Sequence, residues 1–342
     1  MDPFTGILLI ALGSIGAASF YVPFKKVKEW AWESYWIVQG IAAWLIAPWL
    51  FAFIFIPRGE LIPIINESPS SAKLMAMFFG VLWGFGGLTF GLSIRYLGVA
   101  LGQSIALGLC AAFGTLIPPI AKGENLFGST AGILTVIGVA ITVAGIAIIG
   151  YAGSLKSREM SEEEKKAAVK EFALKKGILI AIFAGIMSAC FNFGFEAGKP
   201  IESIALAHGT NPLFQKNPTL IFILFGGFIT NLVYCGYLNI KNKTYQDYIK
   251  PSGNIILNNL AFTFLAGFLW FLQFHFFGMG SSKLPAGMAV FGWSILMALN
   301  IAISNIWGIV LREWKGVKPK TIIVLIIGIV VLILSTFIVK LG

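Results

Sequence analysis

Hydrophobic residues occur in ten long runs that are separated by short stretches of charged residues and prolines. The runs cover about residues 4–24, 32–56, 72–95, 100–121, 128–151, 177–198, 217–240, 254–279, 284–311 and 320–340. Each has the roughly 20 residues that a helix needs to cross about 30 Å of hydrocarbon. The runs are about twice as long as a barrel strand and do not alternate in polarity. The pattern predicts an all-α membrane protein with ten transmembrane helices.

The composition agrees with this fold class. Hydrophobic residues make up 57% of the 342 positions and charged residues 12%, whereas about a quarter of the residues in a soluble domain are charged. The formal net charge of +10 would suggest a nucleic-acid partner for a soluble protein. In a membrane protein, however, the informative quantity is how the charge is distributed among the loops. We therefore expect a lipid bilayer, and no nucleic acid, around this chain.

Basic residues are concentrated in the loops that follow odd-numbered predicted helices. These loops hold 18 of the 25 Lys and Arg residues. The positive-inside rule assigns such loops to the cytoplasm, so both termini are predicted to be extracytoplasmic. The longest charged stretch, residues 154–176, is predicted to be a cytoplasmic linker. Within it, the spacing of Ser161 and Glu164 matches a helix-capping box and predicts a short surface helix.

One short pattern occurs twice in the chain. Gly80–Trp83 reads Gly-Val-Leu-Trp and Gly267–Trp270 reads Gly-Phe-Leu-Trp, at an offset of 187 residues. A duplicated apolar chain is typical of secondary transporters, which bind their ligand where two repeats meet. Because each copy has an odd number of helices, the second copy must be inverted in the membrane. We predict five-helix repeats at residues 1–153 and 177–342, with the two tryptophans close to the ligand.

The eighth predicted helix carries the clearest candidate binding face. Gly267, Trp270, Gln273, Phe274 and Phe277 are spaced so that they share one side of the helix. An aromatic ring stacks on the apolar C–H face of a sugar, and an amide offers its hydroxyls both a donor and an acceptor. This face therefore indicates a sugar site. The alternative is an ordinary packing tryptophan beside a glutamine that bonds to a neighbouring helix.

Polar residues inside predicted spans supply the other candidates, because such residues are costly in hydrocarbon. Glu196 is the most deeply embedded carboxylate and is the predicted proton-coupling residue. The alternative for Glu196 is an ion pair with Lys199 at the membrane rim. His275 lies about 200° around the helix from Gln273, which favours a packing role, and it is an alternative proton site together with Glu33. The substrate site is predicted to be completed by Phe20, Gln39, Trp83, Asn192, Asn231, Trp293 and Asn300.

No cofactor or metal is expected. The chain has only two histidines and three cysteines, and none of them has the spacing of a local zinc motif. The glycines after Trp83 lie in a membrane span and not between a strand and a helix, so they are no dinucleotide fingerprint. Because no nucleophile or metal set stands out, the chain is not expected to be an enzyme.

Several longer motifs resemble one known family. The stretch Gly16–Trp30, the pair Trp32-Glu33, and the motifs Arg95–Gly98, Lys199-Pro200 and Trp270–Phe274 are similar to those of the bacterial L-rhamnose/proton symporters, over nearly the whole chain. This resemblance implies the drug/metabolite transporter superfamily, with ten helices in two inverted five-helix repeats. It also implies a central site walled mainly by helices one to four and six to nine. The expected function is proton-coupled import of L-rhamnose or a similar monosaccharide across the bacterial inner membrane, as a monomer or homodimer.

Two other functions remain open at this point. Aromatic walls and one carboxylate would also suit a transporter of an amino acid or an amphiphilic cation, working as an exporter or exchanger. A membrane sugar sensor that binds without transport is a further alternative.

Overall fold

The computed structural model describes residues 3–97, 99–159, 173–310, 312 and 314–341, and all the regular structure in these ranges is helical. Ten helices are long and apolar enough to cross a membrane, and we number them span 1 to span 10. They are Pro3–Phe24, Trp32–Phe55, Ser70–Ile94, Gly102–Ala121, Thr130–Glu159, Lys175–Ala207, Pro212–Lys241, Gly253–Ser281, Gly287–Val310 and Pro319–Thr336. The predicted all-α fold with ten candidate spans is confirmed. The short surface helix predicted from Ser161 lies outside the described residues.

In spans 1, 2 and 6, the α-helix is broken within the span. Span 1 consists of helices Pro3–Ser19 and Tyr21–Phe24. Span 2 consists of helix Trp32–Gly40, a π-helical turn at Ile41–Ile46, and helix Ala47–Phe55.

Span 6 continues further than the hydrophobic run indicated. Helix Leu174–Ala197 ends before Gly198, and a second helix, Lys199–Ala207, follows directly. Pro200 lies in the first turn of this second helix, where its missing N–H leaves no bond unmade and its fixed φ suits the helix. The predicted end of the run near residue 198 is therefore a break within the span.

The other helices are mostly single rods. Their bounds are Leu61–Glu67, Ser70–Leu97, Val99–Ala121, Thr130–Glu159, Asn217–Lys241, Gly253–Ser281, Gly292–Val310 and Pro319–Thr336. Short 3₁₀ turns occur at Leu126–Gly128, Pro212–Phe214, Thr244–Tyr248, Ala286–Phe291 and Phe337–Leu341.

The chain forms two compact units, and each takes segments from both halves of the sequence. The first unit contains Met1–Ala11, Phe85–Phe193 and Gly280–Gly342, and the second contains Leu12–Gly84 and Gly194–Met279. In the first unit, spans 5 and 10 pack closely, and Thr142 Oγ1 donates to Ser335 Oγ at 3.0 Å. Ser335 Oγ in turn donates to the Leu332 carbonyl at 2.8 Å, so both hydroxyls are satisfied in this buried helix contact.

In the second unit, spans 3 and 7 touch through their backbones. A Cβ atom on Gly80 would overlap the carbonyl oxygen of Ile223. About two turns further along span 7, Thr230 Oγ1 donates to the carbonyl of Val81 at 2.9 Å. Small residues allow this approach, and the hydroxyl adds a polar contact between the helices.

The loop between spans 7 and 8 caps the start of span 2. Asp247 Oδ2 accepts hydrogen bonds from the backbone N–H of Ala31 at 2.8 Å and from Ser34 Oγ at 2.7 Å. Ala31 is the N-cap residue of helix Trp32–Gly40 and has no side chain that could cap it. A carboxylate from a distant loop therefore accepts hydrogen bonds at the helix N-terminus. Its negative charge also interacts favourably with the positive end of the helix dipole.

Candidate functional site

Three tryptophan rings from three different spans meet in the second unit. The ring centroids of Trp83 and Trp270 are 5.5 Å apart, and their planes make an angle of 35°. Trp44 stands nearly perpendicular to both, at 5.9 Å from Trp83 and 5.8 Å from Trp270. The two tryptophans of the duplicated pattern, which were predicted to lie close to the ligand, are therefore in contact with each other. Trp44 is the third member of this tryptophan triad and was not among the site residues predicted from the sequence.

The rings are seated on glycines. A Cβ atom on Gly40 would come within 2.6 Å of the Trp44 ring, and one on Gly227 would overlap the ring of Trp83. Both rings thus lie against bare backbone, which fixes their orientation. Any larger residue at either glycine would have to displace an indole ring of the triad.

Gln39 supplies unused hydrogen-bonding capacity in the same unit. Its side chain is 0% exposed, and neither its amide nitrogen nor its amide oxygen has a partner in the part of the chain that the structure describes. Its backbone carbonyl packs against Gly267, three residues before Trp270. Buried polar groups are almost always paired, so a buried amide with both ends free indicates an acceptor and a donor for something that binds there.

Gln273 and Phe274 lie on the same buried face as Trp270. The Gln273 amide nitrogen donates to the carbonyl oxygen of Trp270 at 3.0 Å. The Phe274 ring lies 5.1 Å from the Trp270 ring at an angle of 66°. The structure thus brings together the predicted face of span 8, and part of the Gln273 hydrogen-bonding capacity is used within its own helix.

Asn231 and Phe20, also predicted as substrate residues, have structural contacts within this unit. The Asn231 amide nitrogen donates to the Gly227 carbonyl at 2.8 Å, and its oxygen accepts from Trp36 Nε1 at 3.0 Å. Phe20 is buried at the break in span 1, and its ring contacts those of Tyr21 and Phe24.

Three predicted substrate residues belong to the first unit. Asn192 donates from its amide to the Gly114 carbonyl at 2.7 Å. Trp293 Nε1 donates to the Cys110 carbonyl at 3.1 Å, and its ring stacks on Phe191. Asn300 is half-buried in the same span as Trp293. Asn192 and Trp293 therefore meet at span 4, with polar atoms bonded to its backbone.

The three predicted proton sites have different surroundings. Glu196 Oε2 lies 2.7 Å from Lys199 Nζ, so the ion pair considered as its alternative role is present. Glu33 is buried, and its Oε1 accepts from Asn242 Nδ2 and Thr244 Oγ1, each at 2.9 Å.

His275 lies in a largely aromatic environment. Its Nδ1 is 3.1 Å from the Asn217 amide oxygen. The imidazole centroid is 4.7 Å from the ring centroid of Phe51, 5.0 Å from that of Phe55 and 5.8 Å from that of Phe214. These contacts agree with the packing role that the sequence favoured.

A further ion pair inside the spans was missed. Lys216 Nζ lies 3.0 Å from Glu202 Oε1 and 3.1 Å from Oε2, and it also lies 5.0 Å from the centroid of the Phe195 ring. The side chains of Glu202 and Lys216 are only 9% and 14% exposed, against 18% for Glu196 and 53% for Lys199. The signal that could have revealed Glu202 is the apolar helical spacing of Ile201, Ile204 and Ala205 beyond Pro200.

Outside the spans, one histidine bridges two carboxylates. His208 Nδ1 lies 2.7 Å from Glu60 Oε2, and its Nε2 lies 2.9 Å from Glu67 Oε2. The hydrogen bond to Glu60, followed by the one to Glu67, raises the pKa of His208 above its usual value of 6.5. Among the described residues, no group of three or more His, Cys, Asp or Glu is arranged to hold a metal ion.

Comparison with known proteins decides the family. Residues 3–342 match the family model described as L-rhamnose-proton symport protein (RhaT). This chain belongs to that family. Similar proteins include the L-rhamnose-proton symporters of Yersinia pestis (strain Pestoides F) and Yersinia pseudotuberculosis serotype O:1b (strain IP 31758). Each is 37% identical over 341 residues, covering 98% of this chain and 97% of the relative.

Family membership bears on the open alternatives. The relatives are named as symporters, which are transporters and not enzymes. A sensor, and a transporter of amino acids or cations, are not favoured by these names. Together with the ten apolar spans, membership identifies a multi-pass protein of the bacterial inner membrane.

Proposed function

We propose that this protein imports L-rhamnose or a similar monosaccharide together with protons, by alternating access. The names of the relatives support the substrate class and the coupling ion. The tryptophan triad, together with Gln39 in the same span as Trp44, is the observation that carries the proposal, because aromatic faces occur with a buried amide whose two ends have no partner among the described residues. A sugar needs this combination: its C–H face stacks on a ring while its hydroxyls take up amide donors and acceptors.

The proposed substrate residues have unequal support. Trp83 and Trp270 offer stacking surfaces, Gln39 offers free hydrogen-bonding groups, and Gln273 and Phe274 adjoin Trp270. The amides of Asn231 and Asn192 and the indole N–H of Trp293 already have partners in the protein. To bind sugar, these residues would have to exchange a hydrogen bond within the protein for one to the sugar. Phe20 and Asn300 are also proposed as substrate residues.

Glu196 is the proposed proton-coupling residue, with His275 and Glu33 as alternatives. Glu196 is a carboxylate within span 6, and its side chain is 18% exposed. Protonation of Glu196 would neutralise it and remove its ion pair with Lys199, so proton binding would change the contacts within span 6. Binding of sugar and proton must favour one access state over another, because equal affinity for both states would shift no population.

The proposed architecture comprises two inverted five-helix repeats, residues 1–153 and 177–342, joined by a cytoplasmic linker at 154–176. The loop charges support extracytoplasmic termini, and the recurrence of Gly-x-Leu-Trp supports the repeat. The protein is proposed to work as a monomer or homodimer.

Uptake by purified protein in liposomes tests the proposed function. We expect an inward proton gradient to drive accumulation of radiolabelled L-rhamnose, and a protonophore to abolish it. A panel of other monosaccharides, an amino acid and an organic cation defines the substrate class. Equal, gradient-independent retention of all these compounds would contradict the proposal.

Coupling is tested on the same liposomes with Glu196→Gln. A proton-coupling residue should lose gradient-driven accumulation while sugar counterflow continues, because counterflow needs no net proton movement. Glu33→Gln serves as the matched carboxylate variant. If Glu196→Gln retains normal accumulation and Glu33→Gln loses it, the proton site is reassigned to Glu33.

A further inference from the structure

Trp44 occupies an unusual position in the backbone. It lies in the π-helical turn Ile41–Ile46 of span 2, and its ring rests on the backbone of Gly40. Single π-helical turns within α-helices are rare and are frequent at functional sites. The turn inserts extra backbone at this point and thereby sets the direction in which the following side chains project.

The surroundings of Trp44 are those of a sugar site. The ring meets Trp83 and Trp270 edge to face, at 88° and 80°. Gln39, with its two free amide atoms, lies in the preceding helix of the same span. Gln39 and Trp44 therefore present three buried hydrogen-bonding atoms without partners among the described residues, and the Trp44 ring lies against two other aromatic rings.

The indole N–H of Trp44 is itself one of these three atoms. The side chain is 2% exposed, and its Nε1 has no acceptor in the ranges that the structure describes. Two other indoles do have acceptors: half-buried Trp36 donates from Nε1 to Asn231, and buried Trp293 donates from Nε1 to Cys110. A buried donor left without an acceptor is unfavourable and calls for an explanation.

We propose that Trp44 is a substrate-binding residue whose indole N–H donates a hydrogen bond to one hydroxyl of the transported monosaccharide. This inference rests on the proposed function and adds to it a residue that selects the sugar by a hydroxyl. Because Trp44 is buried, the triad must open before sugar reaches it. A π-helical turn can provide that movement, since its return to α-helical bonding rotates the side chains on one side by about 100°.

Trp30 offers a matched control. Its indole Nε1 is also buried without a partner among the described residues, but its ring packs on Tyr248, at a centroid distance of 5.4 Å. Replacing Trp30 or Trp44 by phenylalanine removes the same kind of unpaired N–H. Only Trp44→Phe, however, removes an indole N–H that belongs to the tryptophan triad.

The test measures binding to the purified full chain by isothermal titration calorimetry. The ligands are L-rhamnose and analogues that each lack one hydroxyl. We expect Trp44→Phe to weaken L-rhamnose binding about 5- to 10-fold, the effect of one neutral hydrogen bond, and Trp30→Phe to change it less than twofold. For one analogue, Trp44→Phe should cause no further loss, because that analogue lacks the acceptor hydroxyl.

Two outcomes overturn the inference while the proposed function stands. In one, the wild type binds L-rhamnose and Trp44→Phe binds it equally well. In the other, Trp44→Phe loses the same factor against every analogue, which assigns the effect to ring packing. If the wild type binds no monosaccharide, the proposed function fails as well.

A second measurement covers the case in which Trp44→Phe does not fold. The wild-type chain is labelled with ¹⁵N-tryptophan, and the signal missing from Trp44→Tyr assigns the Trp44 indole N–H. Addition of L-rhamnose should shift this signal, and the analogue lacking the acceptor hydroxyl should not. An unchanged Trp44 signal at saturating L-rhamnose overturns the inference.

Discussion

Replacing Glu202 by glutamine should destabilise the folded protein far more than the same change at Glu196, although both carboxylates form close ion pairs. Glu202 and Lys216 are 3.0 Å apart with side chains 9% and 14% exposed, whereas Glu196 and Lys199 are 2.7 Å apart but 18% and 53% exposed. The two pairs have the same charged groups and nearly the same N···O distance, so the difference in burial should determine the difference in stability.

The magnitude follows from the charge that is left behind. At about 3 Å and an effective dielectric constant near 20, the attraction between the buried charges is about 5 kcal/mol. Breaking a buried pair by removing one partner costs about 3–5 kcal/mol, because the other charge stays buried and unpaired. An exposed pair contributes only about 0–1 kcal/mol. At about 2 °C per kcal/mol for a large chain, Glu202→Gln should lower Tm by about 6–10 °C and Glu196→Gln by about 2 °C or less.

Thermal unfolding in detergent, followed by intrinsic fluorescence, measures these shifts. The double variant Glu202→Gln/Lys216→Met removes both charges and should recover most of the lost stability. The reasoning is refuted if the two single glutamine variants unfold at the same temperature. It is also refuted if the losses from Glu202→Gln and Lys216→Met simply add in the double variant.

Three further predictions concern the second unit. Gly227→Ala should displace the Trp83 ring and weaken L-rhamnose binding at least 10-fold in calorimetry. Gly236→Ala lies in the same span with no described atom near its added Cβ and should bind normally. Equal binding by both variants would contradict the role of Gly227 in positioning the Trp83 ring. The pKa of His208 is raised in the folded state, so its stabilising contribution should be complete below about pH 6.5 and lost as the pH rises through the raised value. Tm measured against pH should show this fall in the wild type but not in His208→Gln. Asp247→Ala removes the acceptor that caps span 2 and should lower the unfolding free energy by about 2 kcal/mol; a Tm unchanged from the wild type would show that the cap contributes nothing.

The ten spans could be predicted because each depends on a local signal. A span is marked by the summed hydrophobicity of about 20 neighbouring residues, which needs no knowledge of partners. The recurrence of Gly-x-Leu-Trp predicted that Trp83 and Trp270 both lie near the ligand, and the structure shows their rings in contact. Gln39 was predicted to be a substrate residue because an amide within an apolar run is visible in the sequence, and the structure shows that its side chain is buried.

Trp44 and Glu202 were missed for different physical reasons. All six residues of the turn Ile41–Ile46 are apolar, so no polar contrast marks the change of helical register that aims Trp44 at the triad. Glu202 follows Gly198 and Pro200, which indicate the end of a helix, and only the packed structure shows that a second helix continues the span. The π-helical turn therefore has no signature in hydrophobicity, and the apolar spacing of Ile201, Ile204 and Ala205 was outweighed by the signals for a helix end.

The chain's own residues were enough to specify a ten-helix membrane protein with a duplicated tryptophan motif, because partitioning into a bilayer depends on segment length and polarity. Which polar side chains remain available to a ligand depended on tertiary contacts. Asn231 and Gln39 look alike in sequence, yet Asn231 is hydrogen-bonded to Trp36, 195 residues away. Gln39, in contrast, is buried, and neither of its amide atoms has a partner in the described part of the chain. Hydrogen-bond partners are chosen by proximity in space, and that proximity exists only after the helices have packed.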